Sequence, residues 1–257
     1  MRRDGFWLSA VGSDNYSALR CSPSPAMYPQ LTFRKAYKMP NFEFYKNLII
    51  VLSKGVGFTM GLFLITIVIS VPLGLCLAFI SKSRFWIVRA PVRFFVFIMR
   101  GTPLMLQLYF FYFGLPNIPF IGQHLIIQRF PAACLTFSLN YAAYFCEIFR
   151  GGLLSVDKGQ YEAARVLGFT RLQTTFKIVI PQMIKVVLPA VSNETITLVK
   201  DTALAASIGV IEILHLAKNQ VNALLDVTPL FIAALFYLFF NFILTKMFGL
   251  AERKYNF

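Results

Sequence analysis

The chain has 257 residues, of which 57% are hydrophobic and 14% charged, and its formal net charge is +14. Soluble domains carry about a quarter charged residues, so this composition excludes an ordinary soluble globule and implies a lipid solvent. The surplus of Lys and Arg reads as the positive-inside bias of a membrane protein rather than as a nucleic-acid surface, and no nucleic-acid partner is expected.

Residues 1–47 form a leading segment unlike the rest. "SPSPAMYP" has the composition of a linker, and "FWLSAVG" is too short and too broken to be a signal-peptide core. The segment is expected to be a disordered tail, or upstream sequence ahead of a start at Met27 or Met39. Residues 48–257 form the membrane domain. Gly55–Ile80 and Val227–Thr245 contain no charge at all. Crossing the hydrocarbon takes about 20 apolar residues. Such runs must be helical, because in lipid every backbone polar group needs an internal partner. An all-α integral membrane fold with five transmembrane helices is expected, at Leu52–Ile80, Arg93–Leu115, Ile127–Phe149, Pro181–Ser207 and Pro229–Phe248. The fourth is the least apolar, interrupted by Lys185, Glu194, Lys200 and Asp201.

Loop charges orient the spans. Lys82, Arg84, Arg89 and Arg93 follow the first span. Arg150, Lys158, Arg165, Arg171 and Lys177 follow the third, and Arg253 and Lys254 follow the fifth. Five spans put these groups on one side, with the C-terminus cytoplasmic and the N-terminus outside. The basic residues of the leading segment contravene that bias; a start at Met39 removes all of them but Lys46. Cys21, Cys76, Cys134 and Cys146 have no metal-ligand spacing and read as small buried hydrophobes. His124 and His215 read as outer-loop residues without a catalytic role.

The loop after the third span is "EIFRGGLLSVDKGQYEAARVLGFTRLQTTFKIVIPQ". The span is expected to end near Arg150, with Gly151 and Gly152 breaking the helix. A short helix between Gly159 and Gly168 follows, about 12 Å long at the usual rise per residue. A helix that short is marginal alone in water and needs packing. Ala163 and Ala164 keep one face thin, Tyr161, Val166, Leu167 and Phe169 supply apolar contact, and Glu162 and Arg165 lie at the rim. A second helix is expected from Arg171 toward Pro181. Taken alone, the segment also suits an amphipathic helix lying on lipid headgroups.

The spacing is more specific. From Glu162 the chain reads EAA, three residues, Gly168, nine residues, Ile178, one residue, Ile180, Pro181. This resembles the EAA loop of permease subunits of bacterial ABC importers, with Ile180 where that pattern has Leu. "RGTPLMLQLYFFYFGLP", "NYAAYFCEIFRGG", "VDKGQYEAA" and "NETITLVKDTALAASIGV" resemble the polar-amino-acid branch of that family. The resemblance covers roughly residues 48–254. Cys146 stands where the branch often has Ala, and "KDTAL" where it usually has "KDTSL". It implies a type I importer permease whose loop between helices 3 and 4 is a cytoplasmic coupling helix. Glu162, Ala163, Ala164 and Gly168 would then dock on a separate ATP-binding cassette ATPase. The implied partners are that ATPase, an extracytoplasmic amino-acid-binding protein, a second permease subunit and the lipid bilayer. No phosphate-binding G-x-x-x-x-G-K-[ST] loop occurs in the chain, so ATP and Mg belong to the partner and no cofactor is expected on this chain.

A charge at the centre of a membrane helix costs on the order of 2.5–3.5 kcal/mol. Asn140, Tyr144 and Glu147 recur on one face of the third span, and Asn193, Thr197 and Lys200 on one face of the fourth. Glu194 and Asp201 lie one position round. The two stripes are expected to face each other across a translocation path, with Asn193, Glu194, Thr197, Glu147 and Tyr144 as path candidates. A zwitterionic cargo needs both a negative and a positive or donor-rich partner, which such stripes supply. Lys200 and Asp201, near the outer end, are expected instead to serve a helix–helix ion pair, Lys200 satisfying Asp201 or a neighbouring carboxylate. Glu147 suits either the path or a pair with Arg150, and Arg100 suits an anchor for a kink at Gly101–Pro103. Gly55, Gly57, Gly61, Ala132 and Ala133 read as helix-packing residues.

The competing function is an ion-gradient-driven transporter or channel. It would account for charged spans, but such folds usually carry internal repeats, and the two halves here differ in charge and motif. A membrane enzyme lacks any nucleophile–base constellation in this sequence.

Overall fold

The computed structural model describes residues 42–119 and 122–255. Among these residues every regular element is helical. Residues 1–41, with the alternative starts and Cys21, lie outside the described residues, whereas residues 42–47 already belong to the first helix.

Helices α1 (Phe42–Ser53) and α2 (Val56–Ser81) together make one apolar run. The joint between them is tight. A Cβ on Gly55 would come within 2.7 Å of the backbone of Glu212 and Ile213. Helix α2 then packs along α5 (Arg129–Ser155), the most enclosed helix: 67% of its most apolar window is buried, against 11% in α10 (Thr228–Tyr255). Lipid tails are as apolar as Leu, so helices in a membrane associate through close fit rather than through the hydrophobic effect. Gly74 supplies that fit, since a Cβ there would lie 2.7 Å from Phe145 Cβ and 2.9 Å from the Ala142 carbonyl oxygen. Phe137, Tyr141 and Phe145 fill the centre. Large apolar residues on α2 and α10, such as Val68, Leu235 and Phe239, point outward, as a lipid-facing surface requires.

Among the described residues four helices are long and apolar enough to cross a membrane, and a fifth span results if one bent pair is counted as a unit. That pair is the span expected at Arg93–Leu115 with a kink at Gly101–Pro103; it starts earlier, at Trp86, and the kink is a full elbow. Helix α3 (Trp86–Gly101) and helix α4 (Leu104–Tyr109), which continues through a π turn and a 3₁₀ turn to Asn117, meet at 107°. The cause is local. Thr102 precedes Pro103 and is extended, at φ −116° and ψ 146°, as steric conflict with the proline ring demands. Side chains satisfy the carbonyls freed by the bend. The Gln107 amide donates to Met99 O at 2.9 Å and to Thr102 Oγ1 at 2.7 Å, and the Asn140 amide donates to Met99 O at 3.0 Å.

Two further boundaries move. Gly151 and Gly152 do not break the third span; α5 runs through them to Ser155. Gly152 is there for proximity: a Cβ on it would strike Val187 Cγ1 and lie 2.8 Å from Met183 Cγ, both on α8. The fourth span starts earlier than Pro181. Helix α7 (Arg171–Thr174), a π turn at Thr175–Val179, α8 (Ile180–Asp201) and a 3₁₀ turn to Ile208 form one 38-residue run. Pro181 directly follows the π turn inside this run. Helix α9 (Ile213–Leu224) leads back to α10, and His215 lies in its first turn rather than in a loop. The fully buried Glu212 caps α9, accepting from the His215 backbone N–H at 2.6 Å and from the Tyr237 hydroxyl at 2.5 Å.

Candidate functional site

The short helix of the long loop is α6 (Lys158–Val166). Asp157 caps its start, accepting from the Gly159 N–H at 2.6 Å, so Gly159 lies inside the helix rather than bracketing it. Its end is a Schellman turn. Gly168 adopts φ +75°, its N–H reaches Arg165 O at 3.1 Å, and the Phe169 N–H reaches Ala164 O at 3.0 Å. A second capping box, between Thr170 and Gln173, starts α7.

Both faces of α6 are apolar, but they point differently. Ala164 is 1% exposed, while Val166 is 88% and Leu167 73% exposed, and Leu172 and Phe176 extend the outward patch. Glu162, Ala163 and Gly168 lie on the exposed side. Two ties hold the inner side. Gln182 of α8 donates to Gln160 at 3.1 Å. Lys82, just past α2, donates its ammonium to Leu153 O at 3.1 Å and stands 5.7 Å from the centre of the Tyr161 ring. Leu153 O belongs to the last turn of α5, where carbonyls lack helical partners and a cation is favourable. Partial burial lowers the Lys82 pKa and raises that of the Tyr161 phenol.

The bend between α3 and α4, together with α5 and α8, encloses a cavity of about 470 Å³, lined by Arg100, Tyr141, Tyr144, Glu194, Thr197 and Asp201 among others. Glu194, Thr197 and Asp201 recur at i, i+3 and i+7 and share a face of α8. The Tyr141 hydroxyl donates to Asp201 at 2.7 Å. The Arg100 guanidinium lies 5.3 Å from the Tyr144 ring centre and 3.9 Å from Glu147. No hydrogen-bond donor to Glu194 occurs among the described residues. The cavity thus offers anionic, cationic and hydroxyl partners together, as reversible binding of a small zwitterion needs. Among the described residues no group of three or more potential metal ligands occurs.

Tyr144, Glu194 and Thr197 are brought together in this cavity. Glu147 lines an adjoining one and pairs with Arg150 at 2.6 Å. Asn193 is exposed and lines neither cavity, so the α8 stripe that meets α5 is the one through Glu194, not the one through Asn193 and Lys200. The expected Lys200–Asp201 ion pair is replaced by the Tyr141–Asp201 hydrogen bond. Asn140 lines the cavity but spends its amide on Met99 O and on Gln107 Oε1 at 2.9 Å. Arg100 and Tyr141 were not among the expected path residues. The available signal was spacing: Tyr141 sits three residues before Tyr144, and Arg100 abuts the Gly101–Pro103 bend.

Known proteins match this arrangement. A family model described as "Binding-protein-dependent transport system inner membrane component" matches residues 70–257. An octopine transport system permease protein of Rhizobium radiobacter is 38% identical over 209 residues, covering 79% of this chain and 85% of its own. An arginine transport system permease protein of Bacillus subtilis is 37% identical, covering 78% and 90%. Among solved structures, an amino acid ABC transporter with histidines superposes with a TM-score of 0.75 at 30% identity, covering 83% of this chain and 98% of that one. The methionine transporter MetNI in an inward-facing form shares the fold, with a TM-score of 0.64 at 18% identity over 84% of this chain and 100% of its own. From its bent second span to its capped loop helix, the chain belongs to the binding-protein-dependent transport system inner membrane components, the permease subunits of ABC importers.

Proposed function

We propose that the chain moves polar amino acids across the bacterial cytoplasmic membrane, with the cargo passing the cavity lined by Tyr144, Glu194 and Thr197. In this reading the bent pair is the second of five spans, the C-terminus is cytoplasmic and the start of α1 faces outward. Helix α6 is the coupling helix, docking through the exposed Glu162, Ala163 and Gly168 on a separate ATPase that binds ATP and Mg, while Ala164, expected in the same contact, is buried against the chain itself. A second permease completes the path, and an extracytoplasmic binding protein delivers the cargo. Amino acids and related compounds named for the relatives support the cargo class.

The observation that carries the docking role is the two-sided α6. A helix lying on headgroups presents one apolar face to lipid. Here one apolar face is consumed by the chain itself, through Ala164, and a second remains outward at Val166 and Leu167. Proteoliposomes holding the permease, its ATPase and its binding protein test the proposal. Accumulation of a polar amino acid is expected only with internal ATP and the binding protein; accumulation driven by an ion gradient without ATP rejects it.

A further inference from the structure

The cargo cavity shares Arg100 with an adjoining cavity whose other charged groups take no part in it. The larger cavity, about 640 Å³, is lined by Arg93, Arg100 and Arg150 against a single carboxylate, Glu147. Arg150 grips that carboxylate with three hydrogen bonds of 2.6–3.1 Å. Arg100 is left at 3.9 Å. Arg93 also lines the cavity, and no hydrogen bond or ion pair joins it to any described residue. Three guanidiniums around one carboxylate in a concave site hold excess positive charge where protein and lipid lower the dielectric. That arrangement calls for an anion. The guanidinium fork matches phosphate oxygens in particular.

The edge of the cavity is apolar. Phe97 lines it and is 74% exposed; Phe94, beside Arg93 on α3, is 64% exposed, and Trp86 at the start of the same helix is 69% exposed. A soluble anion has no use for such a strip, whereas acyl chains do. Basic pockets between membrane helices that adjoin apolar surface are a recognised way of holding anionic headgroups.

We propose that this cavity binds a phosphate group, supplied by the headgroup of an anionic membrane phospholipid, with the phosphate on Arg93 and Arg100 and the acyl chains along Phe94 and Phe97. Only the leaflet, the cytoplasmic one, rests on the orientation given above; the site does not.

Thermal unfolding of the complete permease–ATPase complex in neutral detergent tests this without measuring transport, so failure of the cargo assignment does not enter the result. Added phosphatidylglycerol is expected to raise the midpoint by several degrees, as a ligand of the folded state does. Phosphatidylcholine is expected to leave it unchanged. Arg93→Gln, at an exposed position, is expected to remove the rise while leaving the starting midpoint in place. Native mass spectrometry of the unaltered complex is a second readout, expected to retain phosphatidylglycerol over phosphatidylcholine. Inorganic phosphate giving as large a rise as the lipid overturns the lipid source in favour of soluble phosphate. Equal responses to both lipids, no response, or an undiminished response in Arg93→Gln overturns the proposal. Phe97→Cys chains that cross-link to each other in the bilayer, where unaltered chains do not, overturn it as well, because a second copy then covers the strip.

Discussion

Glu194 is the most informative single residue in the cavity. Its half-buried carboxylate has no hydrogen-bond donor from the described residues, so cargo can supply one. Hydrogen bonds to charged groups contribute roughly 1.5–3 kcal/mol, so Glu194→Ala is predicted to lower uptake by about tenfold or more while the complex still assembles. Asn193→Ala, at an exposed position outside both cavities, is predicted to stay within about twofold of normal. Proteoliposome uptake measures both, and equal losses reject the assignment of the α8 face. Two adjacent glycines make a second comparison. Gly152→Ala is predicted to destabilise by about 1–3 kcal/mol, the usual cost of overpacking, because its Cβ meets Val187. Gly151→Ala, with nothing within 4 Å, is predicted to be neutral or slightly stabilising. Thermal unfolding distinguishes the two. The pair also marks a limit of sequence reading. A glycine that breaks a helix and a glycine that admits a neighbouring helix look alike until the neighbour, here Val187, is placed beside it.

At the scale of one element, α6 shows how much a loop can disclose. Its C-terminal glycine was legible because an αL residue leaves its mark within a few positions; the Asp157 cap, equally local, was passed over for Gly159. Its attachments were not legible, because Lys82 is separated in sequence by 71 positions from Leu153. Lys82 reaches both α5 and the ring on α6, which offers displacement of α6 a route to the α2–α5 pair. Lys82→Met is predicted to lower uptake per ATP hydrolysed severalfold with ATPase binding retained, and Lys82→Arg to restore most of it. An unchanged transport-to-hydrolysis ratio in Lys82→Met rejects that role. On the outward face, Val166→Asp is predicted to release the ATPase from the purified complex while the spans still insert. Co-purification of the ATPase at normal yield counts against docking through this edge.

For the whole molecule, the apolar runs and the all-helical fold could be read directly, since lipid enforces length and internal backbone pairing. The 107° bend could not. Thr102 and Pro103 announce a kink, but its angle depends on where Gln107 and Asn140 deliver their amides, and those partners come from other helices and other turns. The cavity was legible in its chemistry and not in its membership, because one position of rotation along α8 exchanges Asn193 for Glu194. Orientation is testable at this scale: a cysteine placed beyond Arg253 is predicted to react with an impermeant maleimide only after the inner face is opened, and labelling of intact cells reverses the topology. The bend has one more consequence. Asn140 stands on the wall of the cavity proposed for the cargo and also completes the hydrogen bonding of the elbow. Occupancy of that wall and the angle of the elbow therefore share one free-energy function. Whatever favours one elbow angle must, by the reciprocity of linked equilibria, favour one state of filling. In the proposed role, the bent pair would gauge the contents of its own cavity through the Gln107 and Asn140 amides.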